Sequence, residues 1–188
     1  MMEALLGIGS AFGLSTSAGL NAYIPMLMVS VLGRLGWLDL GEPFNIMESW
    51  WVIGLLSVLL LVEIFVDKIP AVDSVNDMVQ TLVRPAAGAL MFASQANIIT
   101  EVNPLVAVIL GIMLAGGVHA TKATVRPVVT AASVGTGNWA VSIIEDVTAF
   151  FVSFMAILVP LFAVFCVLVF FFLVFRVYRK RQKEFSFN

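Results

Sequence analysis

Apolar runs fill almost the whole chain, at residues 4–14, 20–37, 50–66, 85–98, 104–118, 127–134 and 139–175. A soluble domain has no interior large enough for all of them, so lipid is the expected solvent for much of the surface. The share of hydrophobic residues, 61% against 12% charged, and the mean hydropathy of +1.04 agree. Lipid offers the backbone no hydrogen bonds, and such runs then read as helices. The 188 residues have room for about six spans of roughly 20 residues with short connections. The expected fold is an all-α membrane protein: one compact polytopic helical bundle over residues 1–175, with a basic tail at 176–188.

Several runs are too short to cross a bilayer of about 30 Å as straight helices, which predicts broken or re-entrant segments. Pro25, Pro70, Pro85, Pro104 and Pro127 fall near the beginning of apolar or amphipathic runs, where a missing N–H is tolerated, and are expected to mark helix starts. Pro160 divides the last long run and predicts a kink or two packed helices there. Setting residues 7–37 against 109–139 aligns Gly9 with Gly111, Ala18 with Ala120, Pro25 with Pro127, Gly33 with Gly135 and Trp37 with Trp139. Each copy contains a polar interruption, Ser15–Asn21 in the first and His119–Thr124 in the second. Paired interruptions point to an inverted repeat with halves of about 1–100 and 101–175, and to a site where broken helices meet.

Charge placement suggests an orientation. Arg176, Arg179, Lys180, Arg181 and Lys183 gather in the tail, whereas the Asp39, Glu42, Glu48 loop has no Lys or Arg. The positive-inside rule puts the tail in the cytoplasm and the loop on the opposite side of an inner membrane. Trp37, Trp50, Trp51 and Trp139 flank apolar runs as an interfacial belt does. The body of the chain is acidic once the tail is set aside, which gives nucleic-acid binding no support. Cys166 is the single cysteine, so neither a disulfide nor a cysteine-based metal site forms within one chain. Glu3 stands where a signal peptide carries positive charge, so the N-terminus is read as part of the fold.

Ionised side chains within apolar sequence are functional candidates because they need partners, protons, cations or water. Glu63 and Asp67 stand four apart on one helix face, with Lys68 next; Asp73 and Asp77 repeat that spacing beside Asn76. With apolar Val72, Val75, Val79 and Leu82, residues 69–85 read as an amphipathic interfacial helix. Four carboxylates so close, Glu63, Asp67, Asp73 and Asp77, form a candidate cation or proton path and a candidate metal set; anchoring of a helix end by pairs with Lys68 or Arg84 is the plainer alternative. In the first interruption, Ser15, Thr16, Ser17 and Asn21 offer hydroxyls and an amide to an ion or an anionic group, or else to carbonyls one turn back. Lys122, Arg126, Glu145 and Asp146 are the charges of the second half. Arg84 and Arg126 each lie in Val-Arg-Pro, a position expected at a helix start, where a guanidinium needs a carboxylate or a phosphate headgroup. His119, the single histidine, is a candidate proton relay or metal ligand, or a plain hydrogen bond to a neighbouring helix.

The segments GLSTSAGLNAYIP (13–25), E-x-x-x-DKIPAVDSVND (63–77) and VRPAAGAL (83–90) closely resemble signatures of the bacterial integral membrane family of domain of unknown function DUF4126. The resemblance covers most of the chain up to about Phe150. It implies an inner-membrane protein and carries no activity with it. A looser likeness joins Glu63 and Asp67 to the Glu-x-Gly-Asp-Lys motif of cation exporters, although here three residues rather than two separate the carboxylates.

The function expected from these features is a small transporter or channel, homo-oligomeric and most simply a dimer, that moves a cation or is coupled to protons through intramembrane carboxylates. The rival readings are a membrane enzyme holding a lipid or isoprenoid phosphate with a divalent metal, and a non-catalytic scaffold of a membrane complex. No Ser/His/Asp constellation, Walker loop or cofactor motif is present in the sequence. The partners expected are the lipid bilayer and a small ion or small-molecule substrate.

Overall fold

The computed structural model of the chain describes residues 2–66, 70–96, 103–133 and 137–158, with single positions at 169, 172, 175 and 176; the side chains of 2–6, 70–75 and 96 are outside the description. Among the described residues the elements are six α-helices and one 3-10 turn: α1 Met2–Leu20, α2 Tyr23–Arg34, the turn Phe44–Glu48, α3 Trp50–Val66, α4 Pro70–Ala96, α5 Pro104–Ser133 and α6 Gly137–Leu158. Among the described residues there is no strand. Helices α5 and α6, 30 and 22 residues, are long and apolar enough to cross a membrane. At 1.5 Å per residue they measure about 45 and 33 Å.

Pro70 and Pro104 open α4 and α5 as their position in the sequence predicts, and Pro25 falls in the first turn of α2. Pro85 and Pro127 do not start helices. Both lie inside, in α4 and α5, so Arg84 and Arg126 are also mid-helix and the dipole argument for them lapses. An interior proline removes one helix hydrogen bond, a loss that packed helices tolerate when neighbours satisfy the freed carbonyl.

The two interruptions fare differently. In the first, only Asn21 and Ala22 leave the helix; Ser15–Leu20 are the last turns of α1. The Asn21 Oδ1 accepts hydrogen bonds from the amides of Tyr23 (3.0 Å) and Ile24 (3.1 Å), which caps α2. The expected second interruption is absent: His119–Thr124 are helical within an unbroken α5, so the bend at Asn21–Ala22 has no counterpart there. At its other end α2 stops on Gly36 at φ 74°, with Trp37 N–H donating to the Leu32 carbonyl and Gly36 N–H to that of Gly33, both 2.9 Å. This paired closure needs a left-handed residue, which glycine adopts without strain.

Small residues bring the backbones together. A Cβ on Gly111 would meet the Gly88 carbonyl and the Ala89 Cα, and one on Gly19 would lie 2.6 Å from the Ala115 carbonyl oxygen. Thus α4 lies on α5 at Gly88–Gly111, and α1 on α5 at Gly19–Ala115. Helix α4 runs antiparallel to α5, and α1 antiparallel to α6: Gly88 meets Gly111 and Thr81 meets His119 between α4 and α5, while Ser10 bonds the Ala156 carbonyl and Ser17 that of Ala149 between α1 and α6. Helices α1, α4, α5 and α6 form the core, with α2 and α3 against one side. Large apolar side chains such as Leu82, Leu105, Met113 and Ile144 remain more than 60% exposed, and the four tryptophans are 55–71% exposed, a surface suited to lipid.

Candidate functional site

The stripe of α5 that faces the core changes character half-way. Ala107, Gly111 and Ala115 permit close packing; one turn further the same face carries His119, Lys122 and Arg126, all buried. Their spacing of three and four residues stacks them on one side of the helix, and the antiparallel α4 and α6 bring complementary groups to meet them.

Arg84 of α4 is fully buried and Glu63 of α3 is 2% exposed; Nη2 of Arg84 lies 2.9 Å from Oε1 of Glu63. Nη1 of the same guanidinium lies 3.1 Å from Nδ1 of His119, whose Nε2 is 3.1 Å from Oγ1 of Thr81. Arg126 donates from Nη2 to Oε2 of Glu145 in α6 at 3.0 Å, and its Nη1 is 3.6 Å from Oδ2 of Asp77 in α4. Lys122 shares the same Glu145 oxygen at 2.8 Å and reaches the Leu20 carbonyl, at the C-terminal end of α1, at 3.4 Å. That end carries partial negative charge, which favours an ammonium. Asn21 Nδ2 donates to Oδ1 of Asp146 at 2.9 Å and so ties the α1–α2 bend to α6.

Three cations, Arg84, Lys122 and Arg126, thus meet three carboxylates, Glu63, Asp77 and Glu145, with a histidine between them, and a fourth carboxylate, Asp146, adjoins them on α6 with Asn21 as its donor. The set leaves one excess negative charge with a neutral imidazole, and its members come from α3, α4, α5 and α6. Ion pairs this buried are held only with good geometry and supporting hydrogen bonds. The support is incomplete: Gln80, 1% exposed, has its Oε1 without a partner, and so has Ser142 Oγ in a fully buried residue.

Most of the sequence candidates therefore converge, but with altered roles. Glu63, Asp77, Arg84, His119, Lys122, Arg126, Glu145, Asp146 and Asn21 share one network. The arginines are held by carboxylates and not at helix starts. The helix expected over 69–85 is not a separate element: residues 70–85 are the first part of α4, with Val79 and Leu82 exposed and Asp77, Gln80 and Arg84 turned inward. The hydroxyls serve packing: Ser15 bonds the Gly88 carbonyl, Ser17 the Ala149 carbonyl and the Ser153 hydroxyl, and Thr16 the Phe12 carbonyl one turn back. Asn76 is half-buried on α4. Asp67, Lys68, Pro160, Cys166 and residues 177–188 lie outside the described residues, as does the side chain of Asp73. Among the described residues no three His, Cys, Asp or Glu side chains converge as a metal site.

Sequence reasoning missed Thr81, Gln80 and Tyr23. Gln80 and the charges of Glu63 and Arg84 lie close enough to the Tyr23 phenol to act on it. The available signal was the helical spacing Asp77, Gln80, Thr81, Arg84. A separate cavity of about 430 Å³ between α2, α3 and α6 is lined by Leu27, Val31, Leu60, Phe150, Phe154 and other apolar side chains, and takes no part in the polar site.

The family model described as Domain of unknown function (DUF4126) matches residues 8–180. No curated protein and no solved structure matches the chain.

Proposed function

We propose that this chain, which belongs to the family defined as Domain of unknown function (DUF4126), is a small multi-pass transporter or channel that moves a cation or is coupled to protons. The observation that carries the reading is the buried ionic network at the level where α1 gives way to α2. Packing of small residues already holds α4 and α1 on α5, so the bundle has no need of charges to associate. Charges inside a membrane bundle are costly, and their presence is most simply explained by an ion or proton that exchanges with them. The end of α1 and the start of α2 face this region with backbone and amide groups, as the discontinuous helices of transporters do.

The reading includes an inner membrane, a cytoplasmic basic tail and an assembly of more than one copy. The lipid-phosphate enzyme draws no support, because the arginines it would use are engaged by carboxylates. The test is flux in proteoliposomes of the purified protein, with gradients of H⁺, Na⁺, K⁺ and divalent cations applied in turn. Flux of one of these ions, reduced at least about tenfold by Glu145→Gln and by Glu63→Gln in protein that still elutes as a folded species, is the expected result. Absence of flux for every ion in the unaltered protein would sink the proposal.

A further inference from the structure

Both ring nitrogens of His119 are engaged, and their partners fix its state. A guanidinium only donates, so Nδ1, 3.1 Å from Nη1 of Arg84, must accept with its lone pair. The Thr81 hydroxyl donates to the Asp77 carbonyl at 2.8 Å, which leaves Oγ1 to accept an N–H from Nε2 at 3.1 Å. The ring is therefore a neutral imidazole protonated on Nε2. Its one proton-accepting atom is the one Arg84 covers.

We propose that Nδ1 of His119 is the proton-binding atom of the transport cycle, and that Arg84 caps it in the state seen here and retires onto Glu63 when the proton arrives. The inference rests on the transport reading and deepens it by naming the proton as the ion. The proton comes from hydronium, which is left as water; one N–H bond forms on Nδ1 and no other bond of the protein breaks. Two donors and two positive charges would then face each other across the former hydrogen bond, so the Arg84–His119 contact cannot persist. Arg84 already has its second anchor, Glu63 Oε1 at 2.9 Å. Proton occupancy thus decides whether α4 is tied through Arg84 to both α3 and α5 or to α3 alone.

The charged groups facing the ring are Arg84 and Asp77 from α4 and Lys122 and Arg126 from α5 itself. Glu63 of α3 acts through Arg84, and Glu145 of α6 through Lys122 and Arg126. The described side chains of α1 include no titratable group. Asp77 is the carboxylate among the direct neighbours and the group that favours the imidazolium once Arg84 has left.

His119 is the single histidine, so ¹⁵N-histidine labelling of the full chain reports this ring alone. The expected spectrum at neutral pH shows hydrogen on Nε2 and none on Nδ1, and acidification converts the ring to the doubly protonated form. His119→Asn keeps an oxygen that accepts from Arg84 but binds no proton; it is expected to fold and to lose at least about tenfold of the proton flux in proteoliposomes. His119→Gln, which keeps a donor to Thr81, gives the same readout if the first variant does not fold. Hydrogen on Nδ1, a ring that stays neutral to the acid limit of folding, or undiminished proton flux in the folded variant overturns His119 as the proton seat while the transport reading stands. No ion flux at all in the unaltered protein, with the Nε2 tautomer present, overturns the transport reading and the seat with it.

Discussion

Removing the charge of Glu63 is the perturbation with the largest expected effect on this fold. Its partner Arg84 is fully buried, Glu63 is 2% exposed, and the pair distance is 2.9 Å. Glu63→Gln preserves shape and an acceptor oxygen, but leaves a guanidinium in the interior with no counter-charge at contact. Breaking a buried pair by losing one partner costs about 3–5 kcal/mol. A hydrogen bond from the Arg84 guanidinium to the new amide oxygen returns about 1 kcal/mol. The expected loss is therefore roughly 2–4 kcal/mol, or between one and three orders of magnitude in the unfolding equilibrium at about 1.4 kcal/mol per tenfold. Titration of SDS into mixed micelles, followed by tryptophan fluorescence, measures it. The double variant Glu63→Leu with Arg84→Met removes both charges and should recover most of the loss, since an apolar replacement of a buried pair is often neutral or better. A loss below about 0.5 kcal/mol for Glu63→Gln, or a double variant no more stable than Glu63→Gln, would refute the description of the two side chains as one buried unit.

Gly88→Ala places a methyl against the Ala115 Cβ and 2.6 Å from the Gly111 carbonyl oxygen; it should cost about 1–3 kcal/mol in the same titration, while Gly54→Ala, with nothing within 4 Å, should be neutral or stabilising. Asn21→Ala removes the acceptor of two α2 amides and the bond to Asp146, an expected loss of about 1–2 kcal/mol with faster amide exchange at Tyr23 and Ile24. Cysteines placed at Glu42 and Arg181 in a Cys166→Ser background should label from opposite faces of sealed vesicles; labelling from one face would overturn the orientation.

The helical class, the starts at Pro70 and Pro104 and the bend near Asn21 were legible because each depends on local features: apolar length, a missing N–H, a polar side chain able to cap. The errors came where tertiary packing overrides a local rule. Pro85 reads as a helix start, yet α4 begins fifteen residues earlier and continues through it, held by α1 and α5 on either side. Likewise His119–Thr124 reads as a polar interruption, yet it belongs to the charged half of a continuous α5 whose side chains find partners on α1, α4 and α6. The sequence marks Glu63, Arg84, His119 and Glu145 as costly groups in apolar surroundings. It does not say that Glu63 pairs 21 residues away with Arg84, because that choice belongs to the way α3 lies against α4.

The two halves of the α5 stripe allow structure and function to be separated by experiment. From Ala107 to Val118 small side chains bring α4 and α1 into backbone contact with α5, and that packing is independent of charge. From His119 to Arg126 the same face holds long ionic side chains whose removal in balanced pairs leaves the first half intact. A purely structural network predicts that Glu63→Leu with Arg84→Met changes stability and nothing else. A network that carries an ion predicts a folded, stable protein that transports nothing, since the cap on His119 and its retreat position are both gone. The double variant therefore serves as the stability control and the decisive transport mutant at once, and only the transport reading requires its flux to stay lost while its stability recovers relative to Glu63→Gln.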